Sequence, residues 1–599
     1  MTARISLILG KTGAHRAPLQ LRLFNFFTAS MTAGDPCARH HRRSYRAPLH
    51  LNVMSPLQRG TAAKRQGVAH TPEARDTYTP QLEYASQMAG RAILRHNAIL
   101  IFLSLCIIYV SVPTKNYYWD GIGFAQDIEQ AAARPDGLLH PNHLLYNALG
   151  HELWTLSAAL GYHVRALGIL QLLNAILGAA TAAVLFSILR RTVRSPYAAT
   201  CLAFGFAFSA TWWKFATDAN SYIPSTFLLT ICLWLLLGNT RPAPFALGVA
   251  HAGSALLHQL AIFFYPAAVL GLWYQSSSEP HRRRLLNITQ YTLSAAGLTL
   301  LVYSLAFAAR GGSFDFSKFV SWCASHSPDA SFSFAIGKNA VTSLLGQVKL
   351  VLGGRLRLFL DQRNIVAALS IAAMIVTLAA LCRRIFRAGV FVPRLKAPFL
   401  PIQRICLVWI FSYVVFLLFW LPHNTFYRLF YLPALVLLAG IFIGSSRTGS
   451  HRLALSVAVL FFFNFGFHIY PQAQPGVNPA LQIATTMREV WGPGTIVYWD
   501  VYAAENRTIR YFNPQAEWKE LWGPAQISQT QRSLAAAKEG GGTVWFDSVA
   551  LEQLMTDREF RMWLKANWRM GKTYEFFNRD RKLGFVQLLP APETVRLNS

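Results

Sequence analysis

The side chains best placed to do chemistry lie in short polar stretches beside long apolar runs. After the apolar residues 97–113 the chain reads Tyr117-Tyr118-Trp119-Asp120-Gly121-Ile122-Gly123-Phe124-Ala125-Gln126-Asp127-Ile128-Glu129, then His140-Pro141-Asn142-His143-Leu144-Leu145-Tyr146. A carboxylate at the lip of a membrane helix sits where headgroups meet water, so it can stay ionised and still reach a lipid-linked substrate. Asp120 is the candidate base. Asp127 and Glu129 follow on a predicted short helix, and a seven-residue spacing puts Asp120 and Asp127 on one face if that helix begins early enough. With His140 and His143 they form the first candidate binding cluster.

A second cluster follows another apolar run, in Thr211-Trp212-Trp213-Lys214-Phe215-Ala216-Thr217-Asp218-Ala219-Asn220-Ser221-Tyr222. Asp218 and Tyr222 are its candidate substrate ligands, and two carboxylates on adjacent turns could share one cavity. Trp212 and Trp213 read as interfacial-belt residues. The third cluster is the short turn Trp420-Leu421-Pro422-His423-Asn424-Thr425-Phe426-Tyr427-Arg428. Arginine offers a rigid fork matched to phosphate, so Arg428 and His423 are candidates for an anionic group, against a snorkelling reading for Arg428. His258, at the turn of a short apolar hairpin, could face the same side. Lys338, Lys349, Arg355 and Arg357 are weaker phosphate candidates.

These clusters need a membrane frame to position them. Of 599 residues, 53% are hydrophobic and only 14% charged, against about 25% charged in soluble domains. The net charge of +29 sits in the N-terminal tail and in short loops such as Arg190-Arg191, Arg282-Arg283-Arg284 and Arg383-Arg384. That is a positive-inside distribution, and no basic face with interleaved aromatics marks a nucleic-acid binder. The seven cysteines show neither a CxxC pair nor a Cys/His ligand spacing.

Residues 1–95 read as a basic, disordered tail without the order of a secretory signal; Met54 and Met88 offer later starts. Residues 96–470 alternate apolar runs and basic loops in a path of about eleven spans, with the N-terminus cytoplasmic and the C-terminus outside. The spans are 97–113, 165–189, 196–213, 222–238, a hairpin over 245–275, 285–309, 364–382, 404–422, 427–444 and 452–470. Short helices around 122–133 and 141–160 lie outside them, and the loop 310–363 has room for re-entrant helices. Residues 471–599 read as a small α/β or α+β domain. Its predicted strands are Thr495–Trp499, Thr508–Phe512, Thr543–Phe546, Thr573–Phe577 and Gly584–Leu588, and its predicted helices Ile527–Lys538 and Leu551–Trp568. Asp500, Glu505 and Asp547 read as solvated strand-end carboxylates or pocket residues.

This order resembles the GT-C membrane glycosyltransferases, which take sugars from polyprenyl-phosphate donors and include protein O-mannosyltransferases and lipid A glycosyltransferases. The likeness lies in Asp120 after the first span, the Asp127/Glu129 helix, and Asp218 with Tyr222 at the next turn. Asp120-x-x-x-Phe124 and His140-Pro141…Leu145-Tyr146 look closest to the O-mannosyltransferase-like branch. The sequence departs from that branch at Trp119, Ala125-Gln126, Asn142-His143 and the longer gap from Asp218 to Tyr222. The resemblance implies a multi-pass enzyme of a bacterial inner membrane, with a periplasmic C-terminal domain, acting on a protein, lipid or glycan acceptor. It implies an inverting transfer with Asp120 as general base, and cationic help to the leaving phosphate from Arg428 and His423. It requires no metal, although a carboxylate-rich cavity is compatible with a divalent cation.

Two rival classes remain open from the residues alone. A flippase or secondary transporter calls for ionisable residues at mid-membrane and an internal repeat. An O-antigen ligase or polymerase calls for a large outer loop rich in Arg and His, which 310–363 partly supplies.

Overall fold

The computed structural model describes residues 96–193, 195–238, 242–311, 315–324, 332–354, 364–388, 400–443, 447–500, 504–521, 526–578 and 581–592. The N-terminal tail, Arg355 and Arg357 fall outside them. Among the described residues, five helices are long and apolar enough to cross a membrane by length and composition: Ala166–Thr192, His281–Ala309, Ile365–Arg387, Pro401–Trp420 and His451–Gln472. Five shorter apolar helices accompany them: His96–Ser111, Pro196–Ala207, Tyr222–Leu237, Pro244–Leu257 and Phe426–Phe442. The chain is a multi-pass helical membrane protein, with five long and five short apolar helices among the described residues where the sequence suggests about eleven spans.

Local chemistry explains where the apolar runs break. The run 196–213 divides into Pro196–Ala207 and Ala210–Ala216, and the buried Asn464 amide donates to the Phe208 carbonyl at the break, 2.8 Å away. The run 245–275 is a hairpin, as expected: Pro244–Leu257 rises, the chain turns at His258, and Tyr265–Gln275 returns beyond a 3₁₀ segment. The Nδ1 atom of His258 accepts the Leu260 N–H at 3.1 Å, which caps the turn. His251 Nε2 meets the Ala261 carbonyl at 2.9 Å and ties the two arms together.

The soluble domain is built on a five-stranded sheet in the order β2-β1-β3-β5-β4. Its strands are β1 Thr495–Asp500, β2 Glu517–Leu521, β3 Thr543–Asp547, β4 Trp568–Asn578 and β5 Arg581–Pro590. β1 runs parallel to β2 and β3, whereas β5 is antiparallel to β3 and β4. Central strands β1 and β3 are covered on both faces, which is why they read as unbroken apolar runs. Val497 and Trp545 enter one core with Trp491 and Ile509, while Tyr498 and Phe546 enter the other with Leu534 and Leu551.

Two sequence expectations are corrected here, and one strand without a sequence signal is added. Residues 508–512 are not a strand but the end of helix Ala504–Phe512, hereafter the docking helix. β-branched and aromatic residues favoured the strand reading, yet Ile509 packs into the soluble core while Tyr511 packs against the membrane domain. The polar strand β2 carried no apolar signal. The stretch 551–568 splits into Ser548–Leu554 and Arg558–Asn567, because Asp557 accepts the Phe560 N–H at 2.8 Å and starts a new helix.

Candidate active site

The site is built on a buried loop, 217–221, at the end of the bundle that carries the soluble domain. Burying a loop is costly unless its polar backbone groups find partners, and here they do. Gln171 donates to the Thr114 and Thr217 carbonyls at 3.0 and 3.1 Å. Asn174 donates to the Asp218 and Asn220 carbonyls at 2.7 and 2.8 Å. Asn220 Oδ1 accepts the N–H groups of Tyr222 and Ile223, at 3.1 and 3.2 Å, and so starts the next helix.

On this floor lies the acid helix, Trp119–Glu129. Its cap residue, Tyr118, has no capping side chain of its own; its N–H donates instead to Asp218 Oδ2 at 2.8 Å. Gly121 lets the helix sit this close, since a Cβ there would run into the Ala219 carbonyl oxygen. Loop and helix together fix Asp120 in the first turn, where a carboxylate also gains from the helix dipole.

Beside Asp120 stands a connected series of rings. His140 stacks on His143 (centroids 5.1 Å apart), His143 lies 5.1 Å from His258, His258 is 4.9 Å from Tyr222, and Tyr222 is 6.1 Å from Tyr118. The Tyr118 and Tyr222 hydroxyls are 3.1 Å apart, and the Tyr118 hydroxyl also bonds Asp120. Phe426 and Tyr427 pack on Tyr222 at 5.1 and 5.7 Å. Asp120, His140, His143, Tyr222 and His258, picked out separately in the sequence, thus form one neighbourhood. Ser221 Oγ meets His143 Nδ1 at 2.9 Å. The Nδ1 atoms of His140 and His258 accept the Asn142 and Leu260 N–H groups at 3.3 and 3.1 Å, so a neutral ring at either position carries its proton on Nε2.

Other candidates have different surroundings from those expected. Asp218 is fully buried, and its oxygens are taken by the Lys214 ammonium and the N–H groups of Tyr118 and Ala219, so it supports the floor instead of lining a cavity. Glu129 is occupied too. It accepts from Arg165 Nε at 2.9 and 3.0 Å, from the Ala166 N–H at 2.8 Å and from the Tyr511 hydroxyl at 2.8 Å. It thereby joins the acid helix to a membrane helix and to the docking helix. Arg428 is fully buried and donates to Tyr431, Ser343 and the Pro422 carbonyl at 2.9, 3.1 and 2.7 Å. That anchors the turn carrying Tyr427 from below. His423 is exposed on the same turn, and Lys338 and Lys349 are exposed as well. Asp127 lies further along the acid helix, 3.5 Å from the Asn147 amide. Asp547 is buried as the cap of the helix that follows β3, accepting the Val549 N–H at 2.9 Å.

Three contributors escaped the sequence reading as site residues: Tyr118, Tyr427 and Arg507. The tyrosines lie within stretches already singled out. Arg507 was hidden by the strand assignment; helical spacing puts it one turn from Tyr511. Its guanidinium carbon is 5.6 Å from the centre of the Trp119 ring.

Burial pushes the Asp120 carboxyl up to about 6, while the Tyr118 hydroxyl and the Arg507 charge pull it down. Burial likewise lifts Asp127 to about 6 against the pull of Arg507, Arg134 and Arg510. A carboxylate poised near the working pH, bonded by a hydroxyl and surrounded by aromatic rings, is suited to take a proton from a bound hydroxyl. With Nδ1 of His258 taken by the Leu260 N–H, the neutral ring donates through Nε2. Among the described residues no group of three or more His, Cys, Asp or Glu side chains is arranged to hold a metal ion.

Known protein families and curated sequences yield no match. Solved structures do. The chain is similar to ArnT from Cupriavidus metallidurans in the apo state, with a TM-score of 0.53 and 12% identity over 84% of this chain and 98% of that one. It is similar also to the same protein bound to undecaprenyl phosphate, with a TM-score of 0.50 and 11% identity over 83% and 98%. The fold is therefore the GT-C fold that the order of the sequence motifs resembles.

Proposed function

We propose that this protein is a glycosyltransferase that moves a sugar from a polyprenyl-phosphate donor to an acceptor hydroxyl at the outer membrane face. The observation that carries the reading is Asp120: a half-buried carboxyl raised to about 6, bonded by Tyr118, at the end of a series of rings leading to three histidines. A fold shared with a protein that has been captured with undecaprenyl phosphate supports the donor class.

In this mechanism Asp120, ionised, accepts the proton of the acceptor hydroxyl as that oxygen bonds to the anomeric carbon. The anomeric carbon–oxygen bond to the phosphate breaks from the opposite side, so the configuration inverts and the electron pair leaves on the polyprenyl phosphate. The Nε2–H groups of His140 and His258 are suited to bond the phosphate oxygens as charge gathers on them. Tyr427 offers a hydroxyl and a ring face to the sugar, the buried Tyr222 backs it, and Asp127 offers a carboxylate to the sugar hydroxyls. Arg428 contributes from a distance, as a buried positive charge that also holds Tyr427 in place. The soluble domain lies on the outer face and the basic loops inside, following the charge distribution.

The test is transfer of radiolabel from polyprenyl-phosphate sugars in liposomes, with Asp120→Asn beside the wild type. Label reaching an acceptor in the wild type and lost by at least about a hundredfold in the variant is expected, which is the scale of a positioned general base. Undiminished transfer in the variant removes Asp120 from the mechanism. Labelled lipid crossing the bilayer without transfer would make the protein a flippase.

A further inference from the structure

We propose that Arg507, carried by the soluble domain, is a positioning residue for Asp120, so that the catalytic centre is completed only when that domain is docked. The inference rests on the reading of Asp120 as the base. The geometry begins with the docking helix. The Tyr511 hydroxyl donates to Glu129 at 2.8 Å, the Arg165 guanidinium lies 3.9 Å from the centre of the Tyr511 ring, and Arg165 donates to the Tyr511 carbonyl at 2.9 Å. Phe512 packs on Tyr117 with centroids 5.7 Å apart. These contacts fix both the rotation and the position of the helix along the seam. Arg507 is one turn earlier on the same face, over the ring of Trp119, the residue before Asp120.

The charges around the seam explain what that placement does. Asp120 is faced by the hydroxyls of Tyr118, Tyr222 and Tyr427 from the membrane domain and by Arg507 from the soluble domain. Asp127 is faced by Arg507, Arg510 and Arg134. Arg510 is already paired with Glu520 at 3.1 Å, whereas Arg507 is shared by two of the three carboxylates of the acid helix, Asp120 and Asp127. Without Arg507, burial would leave Asp120 protonated over more of the neutral range, which is the wrong state for a base. An undocked domain would carry Arg507 away from the acid helix and leave the centre open to water. Docking couples domain closure to competence for proton transfer.

The test compares the full-length protein with Arg507→Gln, Arg507→Lys and the exposed control Arg532→Gln. Transfer from a radiolabelled polyprenyl-phosphate sugar is followed from pH 5 to 9. The expected result is that the acid limb of the profile moves up by about one pH unit in Arg507→Gln, the low end for losing an opposite charge near a carboxylate. Arg507→Lys should hold the midpoint within a few tenths of a unit, and Arg532→Gln should not move it. An unmoved midpoint in Arg507→Gln, or one moved equally by the control, overturns the proposal. Melting temperatures of Arg507→Gln, Asp120→Asn and the double variant give a readout independent of activity. A double variant less destabilised than the sum of the singles is expected, and strict additivity overturns the pairing. Full transfer by Asp120→Asn would sink the base reading itself, a result distinct from an unmoved Arg507→Gln profile.

Discussion

Tyr118→Phe is the sharpest probe of how the centre holds its base. The substitution keeps the ring that packs on Phe215, Tyr222 and Phe426 and removes only the hydroxyl shared between Tyr222 and Asp120. A hydrogen bond to a charged group contributes roughly 1.5–3 kcal/mol. Because Asp120 is only half-buried and the donor is shared, about half of that is the fair expectation. At 1.36 kcal/mol per pKa unit this lifts Asp120 by about half a unit to one unit. The sign follows from the role: a base works ionised, so activity rises with pH through the carboxyl's midpoint near 6. At pH 6 the ionised share then falls from about one half to between about a quarter and a tenth, while at pH 8 it stays above about nine tenths. The assay is initial-rate sugar transfer under donor-limited conditions across that range. The pH 6 to pH 8 activity ratio should drop about two- to fivefold relative to wild type. An unchanged ratio, or an acid limb displaced downward, would refute the assignment of Asp120 as a base held by Tyr118.

Other perturbations test the scaffold. Gly121→Ala should cost about 1–3 kcal/mol of stability and most of the transfer activity, because its Cβ meets the Ala219 carbonyl and lifts Asp120 off the floor; thermal unfolding with the transfer assay checks both. Lys214→Met leaves the fully buried Asp218 without its cation and should destabilise by about 3–5 kcal/mol, whereas adding Asp218→Asn should recover part of that loss, as a double-mutant cycle would report. Glu129→Gln weakens the acceptor of Arg165, Ala166 and Tyr511. With Arg165 partly exposed the cost should be about 1–2 kcal/mol, seen as faster proteolysis between the last membrane helix and the soluble domain.

Much of this was legible before the structure because membrane helices and buried central strands announce themselves by composition. The hairpin turning at His258, the short helix after the first span, and strands β1 and β3 all carry strong apolar or turn signals. What hid the rest was tertiary. Nothing local marks the Glu517–Leu521 strand, whose alternate polar residues are only partly covered. The docking helix was mistaken for a strand because Thr508, Ile509, Tyr511 and Phe512 favour extended backbone. Its helical form is selected by partners on two sides, the soluble core and the acid helix, which a window of sequence cannot see. Misreading that helix also concealed Arg507, since only helical periodicity places it on the face of Tyr511.

The carboxylates make the same point about function. Asp120, Glu129 and Asp218 look alike in sequence, as acids just past apolar runs among aromatics, and all three were fair candidates for substrate contact. Partners decide between them. Asp218 accepts from an ammonium and two backbone N–H groups, and Glu129 from a guanidinium, a backbone N–H and a hydroxyl. Filled acceptors hold structure together, and a substrate hydroxyl would have to displace a stronger, charge-assisted bond to reach them. Asp120 has the Tyr118 hydroxyl and a more distant charge, so it keeps acceptor capacity for a proton while burial raises its affinity for one. In the proposed mechanism, proton-transfer competence therefore follows from incomplete satisfaction, with the two satisfied acids holding the third in place. Asp218 fixes the start of the acid helix, Glu129 fixes its end, and Asp120 is held between them in the first turn.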